Sequence, residues 1–129
     1  MDHYQLVVSA SDAEVLAHLL GSRAASADAA AADALADLLL EARLVPHERL
    51  PWERIAMNSR VTYLDEARGE ERTVTLVHPN EADAAAGRIS VLSPVGRALL
   101  GRRPGAVVDV TAPNGNAMRL RILGSEKAR

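Results

Sequence analysis

The stretch from Gly87 to Gly101, GRISVLSPVGRALLG, decides how the second half of the chain folds. Its first residues carry apolar side chains at alternate positions, which is the period of a half-buried strand. Ser93 then precedes Pro94. A serine that accepts a hydrogen bond from a free amide, followed by a proline without an amide hydrogen, is a typical helix start. The stretch therefore predicts a strand over 88–92 and, directly after it, a short helix that ends at Gly101.

Further strand candidates lie on both sides of this unit, at residues 60–64, 72–78, 106–111 and 117–123. A charged turn at 65–70 separates the first two and predicts a hairpin. The turn from Pro113 to Asn116 contains Asn-Gly, a strong hairpin signal, and predicts a second one. The second half is thus expected to form an antiparallel sheet with one short helix on one side.

The first half has the helical period. Ser11 and Glu14 have the spacing of a capping box, which predicts a helix start at Ser11, and Gly21 supplies its end. The apolar stripe of this first helix is expected to be Val15, Leu16, Leu19 and Leu20.

A second helix is predicted from Ala29 to about Arg43, with Asp28 or Ser26 as its cap and Pro46 as its end. Its apolar positions repeat at three and four residues. Because only a short polar segment, 22–27, joins the two helices, we expect an antiparallel helical hairpin that depends on the rest of the protein for its stability.

The chain as a whole is therefore expected to be an α+β protein. The hairpin would occupy residues 1–45, a proline-rich linker 46–56, and a β domain 57–129. Trp52 in the linker is expected to pack as a wedge between neighbouring elements.

Composition excludes several function classes. The 129 residues include no cysteine, and the formal charge of −2 offers no broad cationic surface for nucleic acid. Neither an export signal nor an apolar window long enough to cross a membrane is found. We therefore expect a cytoplasmic monomer that binds neither nucleic acid nor membranes directly.

No arrangement of residues indicates an active site. The four histidines are scattered, and the glycine-rich loops that hold phosphates are missing. The sequence thus predicts no catalytic residue, no metal site and no cofactor.

An acidic row stands out on the second helix, where Asp33, Asp37 and Glu41 are four residues apart. Like charges at this spacing disfavour an isolated helix. The row is either an ordinary solvated face or a surface for a basic partner.

Three segments carry a family resemblance. LVHPNEAD at Leu76–Asp83, the stretch Gly87–Gly101 and the segment Pro104–Val110 resemble the C-terminal domain of the GreA/GreB transcription factors. MNSRV at Met57–Val61, together with the short first half, resembles the Rnk branch, the regulators of nucleoside diphosphate kinase. The resemblance implies an FKBP-like C-terminal domain, an N-terminal coiled-coil hairpin, and docking on bacterial RNA polymerase at the mouth of its secondary channel.

The resemblance also implies a polymerase-binding loop, which here consists of Leu92, Ser93, Pro94 and Val95. We expect an exposed apolar patch with a free hydroxyl at this loop, although Ser93 and Pro94 also fit a helix cap. Glu81 and Asp83 match an acidic stretch of the family, and they equally fit a loop-capping role.

In the larger relatives, a long coiled coil carries acidic tip residues that help to hold a metal for RNA cleavage. The second helix predicted here is only about 24 Å long, and Asp28 is the only acid in the segment 21–28. We therefore expect polymerase binding in competition with GreA-type factors, without transcript cleavage. The alternatives are a GreA-type cleavage factor and an FKBP-like prolyl isomerase, which would need an aromatic pocket.

Overall fold

The computed structural model describes residues 6–112 and 114–127. Within these residues the helices are α1 (Ala10–Leu20), α2 (Arg23–Ala27), α3 (Ala29–Glu41) and α4 (Pro94–Leu99). The strands are β1 (Val7–Ser9), β2 (Arg43–Val45), β3 (Arg60–Asp65), β4 (Glu70–Val77), β5 (Arg88–Ser90), β6 (Val107–Thr111) and β7 (Ala117–Glu126). None of the helices in this part of the chain has the length and apolarity that a bilayer crossing requires.

Five strands form the main sheet in the order β5-β4-β3-β7-β6. The expectation of a wholly antiparallel sheet is wrong, because β4 and β5 run parallel, with Thr75 opposite Arg88. The reason lies between them, where two short 3₁₀ turns carry the chain back along the edge before β5 begins. A crossover of this kind returns the chain in its original direction, whereas a tight hairpin would reverse it.

The turn between β3 and β4 follows the predicted hairpin. The buried Asp65 accepts hydrogen bonds from the amides of Ala67 and Arg68 at 3.1 and 3.4 Å, and Gly69 takes a φ of 67° that favours glycine. Strands β6 and β7 also pair antiparallel, as predicted. Pro113, in the predicted turn between them, lies outside the described residues.

Helix α1 starts two residues earlier than a cap at Ser11 implies. Its cap is Ser9, whose hydroxyl accepts a hydrogen bond from the Asp12 amide at 3.1 Å. The prediction of Ser11 is wrong because Ser9 is the last residue of β1. There it pairs with Val45 of β2 and is held in the extended conformation that a cap needs.

Of the two predicted caps of the second long helix, Asp28 and Ser26, the structure has Asp28, whose carboxylate accepts from the Ala31 amide at 3.0 Å. The link between the long helices is not a simple turn, however, because residues 23–27 form α2. Helix α3 ends at Glu41, two residues before the predicted end. The amide of Arg43 donates to the carbonyl of Leu6 at 3.0 Å and opens β2.

Residues 10–41, called the helical unit below, thus contain three helices, and the parallel pair of β1 with β2 closes their base. This parallel pair has no counterpart among the predicted elements. Two strands of three residues each are too short to show a period in the sequence.

A continuous apolar core joins the helical unit to the sheet. Its largest fully buried side chains come from both halves of the chain, and they include Leu16, Leu19, Leu35, Ile55, Leu76, Leu99, Leu100, Leu120 and Ile122. A polar tether crosses the same boundary, where the Asp12 carboxylate accepts from the Met57 amide at 3.0 Å. The helical unit therefore shares its core with the sheet, as expected for alanine-rich helices that bury little area of their own.

Two expectations about burial are wrong. Trp52 is 75% exposed and is not a wedge, and Val15 of the predicted α1 stripe is 48% exposed. The junction beside the linker is filled instead by Arg54 and Ile55, 2% and 1% exposed. Arg54 donates to the Gly101 carbonyl at 3.0 Å, and the Ile55 backbone bonds to both Gly101 and Arg102.

Candidate partner-binding surface

The loop predicted to bind a partner starts from Ser90, the last residue of β5. The Ser90 hydroxyl accepts from the Leu92 amide at 3.0 Å. Its carbonyl oxygen accepts from the Ser93 amide at 2.9 Å and from the Ser93 hydroxyl at 2.6 Å. One residue therefore fixes the backbone on both sides of the turn into α4.

Ser93 caps α4, as the helix-capping interpretation predicts. Its hydroxyl oxygen accepts from the Gly96 amide at 3.1 Å while it donates to Ser90. The Arg97 guanidinium also donates to the Leu92 carbonyl. At Gly96 a Cβ atom would lie 2.1 Å from the Ser90 carbonyl oxygen, so only glycine fits there. The loop is rigid because each of its bends is hydrogen-bonded or sterically fixed.

The expectation of an exposed leucine with a free hydroxyl beside it is wrong. Leu92 is only 8% exposed and belongs to the core, and the Ser93 hydroxyl is engaged at both its donor and its acceptor side. Ser93, Pro94 and Val95 are half-buried, so the loop presents mainly the proline ring and the valine side chain.

The predicted acidic residues, Glu81 and Asp83, lie in the turns that precede β5 in the chain. Glu81 is exposed at the end of a 3₁₀ turn, Pro79–Glu81. Asp83 is exposed too, and it accepts from the Ala86 amide at 3.3 Å and pairs through its backbone with Arg88. Asp83 thus has the loop-capping role, while Glu81 offers a carboxylate beside the same edge strand that leads into Ser93.

The acidic row of the second long helix is exposed, with Asp33, Asp37 and Glu41 all on the surface of α3. Glu41 influences the pKa of Arg102, in the second half of the chain. Burial and the nearby Arg54 lower the pKa of Arg102, and the Glu41 carboxylate opposes that shift. One end of the row is therefore close enough to the β domain to influence its charges.

Sequence reasoning missed a groove between the two halves of the chain. This open groove of about 510 Å³ is lined by Ala34 and Leu38 of α3, Pro94 and Arg97 of α4, Arg102, and the edge strand β6. The Nε atom of Arg102 is buried there without a hydrogen-bond partner among the described residues. One sign of this groove is present in the sequence: Arg97 lies one helical turn after Pro94, so the two side chains share a face of α4. The groove adds two arginines to the predicted loop.

Metal ligands do not converge in this part of the molecule. Among the described residues, no group of three or more histidine, aspartate or glutamate side chains is close enough to hold an ion.

The second half of the chain is similar to a known protein family. Residues 50–127 match the family model described as the C-terminal domain of the transcription elongation factors GreA/GreB. The GreA factors of Brucella anthropi and Brucella canis are each 39% identical to the chain over 80 residues, which are 62% of this chain and 51% of theirs. The chain thus spans about half the length of the curated relatives it matches.

Solved structures extend the likeness to the first half of the chain. A GreA/GreB elongation factor from Nitrosomonas europaea superposes with a TM-score of 0.75 at 34% identity, covering 95% of this chain and 98% of that one. Thermus aquaticus Gfh1 superposes with a TM-score of 0.51 at 26% identity, covering 95% and 98%. The chain belongs to the GreA/GreB family of transcription elongation factors.

Proposed function

We propose that the protein is a cytoplasmic, monomeric regulator of the Rnk type. It binds bacterial RNA polymerase at the entrance of the secondary channel and competes there with GreA-type factors without stimulating RNA cleavage. The shortness of the helical unit is the observation that carries the proposal. Helix α1 has 11 residues and α3 has 13, lengths of about 16 and 20 Å at 1.5 Å per residue.

The base of the helical unit supports this limit on reach. Because β1 and β2 pair at residues 7–9 and 43–45, both ends of the unit are fastened to each other beside the β domain. A cleavage factor must bring carboxylates from the channel entrance to the polymerase active centre, which the family resemblance assigns to a long coiled coil. The helical unit is too short for that task.

The chemistry at the far end of the unit supports the same conclusion. Asp28 is the only acid between Gly21 and Ala29, and its carboxylate is used to cap α3. A carboxylate that accepts a backbone hydrogen bond at a helix start is stabilised in that position by the helix dipole. No second carboxylate lies between Gly21 and Ala29 to help Asp28 hold a magnesium ion.

The binding surface of the proposal comprises the rigid loop, Ser93–Val95, which follows β5, and the acidic residues Glu81 and Asp83, which precede β5. A rigid, half-buried apolar contact loses little conformational entropy on binding, which favours affinity. The rigidity that Ser90 and Gly96 give to the loop therefore suits binding to a preformed partner surface such as a helix tip.

The proposal is tested by measuring the affinity of the full chain for core RNA polymerase. Pro94→Arg puts a charge on the loop, and the affinity should fall by about tenfold or more. Ala67→Arg is the matched control, because it places the same charge on the exposed β3–β4 turn. That turn leads into the start of β4, whereas Ser90 pairs with Val77 at the end of β4. Equal affinity of both variants and the unchanged chain would refute the loop assignment, provided their circular dichroism spectra agree.

A GreA-type cleavage factor is the alternative, and the name of the Brucella relatives favours it. Arrested elongation complexes, incubated with the protein and magnesium, separate the two functions. The proposal expects RNA of unchanged length and protection from cleavage when a GreA factor is added afterwards. Shortened RNA with this protein alone would establish the alternative.

Prolyl isomerisation finds less support. Such an enzyme needs an aromatic-lined pocket, and of the two described aromatic residues Trp52 is 75% exposed while Tyr63 lines a small pocket with mainly polar neighbours. A proline-peptide isomerisation assay is expected to show no turnover.

A further inference from the structure

A small polar pocket lies at the end of the sheet, where the β3–β4 turn and the segment between β6 and β7 come together. Its volume is about 280 Å³, and it is separate from the predicted polymerase loop. The polar side chains that line it are Tyr63, Asp65, Arg68, Arg72, Asn114 and Asn116.

Tyr63 is the unusual member of this pocket. The residue is only 4% exposed, yet its side chain lines the pocket. A phenol hydroxyl can both donate and accept a hydrogen bond, so a tyrosine that lines a pocket can offer its proton to a ligand there. Burial raises the pKa of Tyr63 above its ordinary value, so the group keeps its proton and serves as a donor.

The charges around Tyr63 favour an anion. Among the described residues that line the pocket, Asp65 is the only acid, and one of its oxygens already accepts from the amides of Ala67 and Arg68. Arg72 lies opposite Tyr63 in the strand register and forms a pair with Glu70 at 3.4 Å. Both members of that pair are about half exposed, 53% and 54%, so the pair is weak and Arg72 can exchange it for a ligand.

The two asparagines add neutral donors. The side-chain oxygen of Asn114 accepts from the Asn116 amide at 3.0 Å, which leaves the side-chain NH₂ group of Asn114 to donate. Hydrogen-bond donors on two charged arginines, a tyrosine and an asparagine are the chemistry that recognises carboxylate and phosphate oxygens.

We propose that this pocket binds a small molecule through a carboxylate or phosphate group, with Arg68 and Arg72 supplying charge and the Tyr63 hydroxyl supplying a directed hydrogen bond. The volume is below that of pockets for drug-sized ligands, which favours a small anion over a peptide or a nucleic acid. The inference is independent of polymerase binding, because it uses none of the residues assigned to that surface.

The test is an NMR titration of the full chain with inorganic phosphate and, separately, with acetate, at an ionic strength held constant with sodium chloride. Saturable shifts are expected for amides of residues 65–72 and 114–118. Tyr63→Phe keeps the packing and should weaken binding by about 2- to 10-fold, and Arg72→Gln by about tenfold or more. Tighter binding of phosphate would point to phosphate esters, and tighter binding of acetate to carboxylates.

Arg119→Gln is the matched control. It removes the same charge from an exposed pair with Asp109, at a residue that alternates with the buried Leu120 and so faces away from the pocket. Affinity should not change in this variant. The proposal fails if neither anion gives saturable shifts at these amides, or if Arg119→Gln weakens binding as much as Arg72→Gln does. Because Arg72 is exposed, its variant stays informative even if Tyr63→Phe fails to fold.

Discussion

Gly96 lies where α4 passes closest to the end of β5. A Cβ atom at this position would meet the Ser90 carbonyl oxygen at 2.1 Å and the Ser90 carbonyl carbon at 2.9 Å, and because both are backbone atoms they cannot easily shift. Gly96→Ala should therefore lower the free energy of unfolding by about 1–3 kcal/mol and distort the predicted partner-binding loop. Urea denaturation followed by circular dichroism measures this loss.

Gly124→Ala provides the comparison for that variant. Gly124 in β7 has no neighbour within 4 Å of the added Cβ atom, so its free energy of unfolding should stay within about 0.5 kcal/mol of the original. If the two variants denature at the same urea concentration, the close approach at Gly96 does not determine the loop.

The raised pKa of Tyr63 predicts that the free energy of unfolding depends on pH. Its pKa is raised from the ordinary 10.0 by burial, with Arg72 opposing and Asp65 adding to the shift. The folded state therefore holds the phenol proton more tightly than the unfolded state. The resulting stability is complete below pH 10 and is lost as the pH rises through the folded pKa. Tyr63→Phe should flatten this alkaline loss in urea midpoints measured on either side of that pH, and identical alkaline profiles would contradict the assignment.

The residues of the loop show what sequence alone predicts at this scale. The cap by Ser93 was predicted correctly, because a helix cap depends on residues three positions apart in the chain. The exposure of Leu92 was predicted wrongly, because burial depends on where the loop meets the core. The partner-binding role of Ser93–Val95 rests on resemblance and stays a prediction.

The start of α1 gives a prediction at the level of an element. Ser9→Ala removes the hydroxyl that accepts from the Asp12 amide and should cost about 1 kcal/mol of stability. Ser11→Ala removes only a contact between two hydroxyls, at 3.2 Å, and should cost less than about 0.5 kcal/mol. Thermal unfolding of both variants measures the difference, and a larger loss for Ser11→Ala would restore the capping box of the sequence.

Long elements with a regular period were predicted well, and strands of only three residues were not. The alternation of Met118, Leu120 and Ile122 with arginines predicted β7, and their burial follows that pattern. The parallel pair of β1 and β2 was missed, since three residues carry no readable period. The parallel direction of β5 was also missed, because it depends on the path of the crossover.

The shared core predicts that the whole molecule unfolds as one unit. Leu35 of α3 is fully buried, and Leu35→Ala should lower the free energy of unfolding by about 2–5 kcal/mol. Hydrogen exchange should then accelerate in β7 as well as in α3, because both open in the same transition. Leu40→Ala on the same helix is the control, since Leu40 is 85% exposed and should change neither quantity appreciably. Unchanged exchange in β7 of Leu35→Ala would mean that the helical unit opens independently.

The sequence by itself determined the long elements, the cap of α4, the hairpin at Asp65 and the family resemblance, because each depends on residues near one another in the chain. Only the tertiary structure decided which side chains meet across the chain. It placed Leu92 in the core, left Trp52 on the surface, and brought Tyr63, Arg72 and Asn114 to one pocket. These outcomes depend on strand order and on the packing of the helical unit against the sheet, which no local pattern encodes.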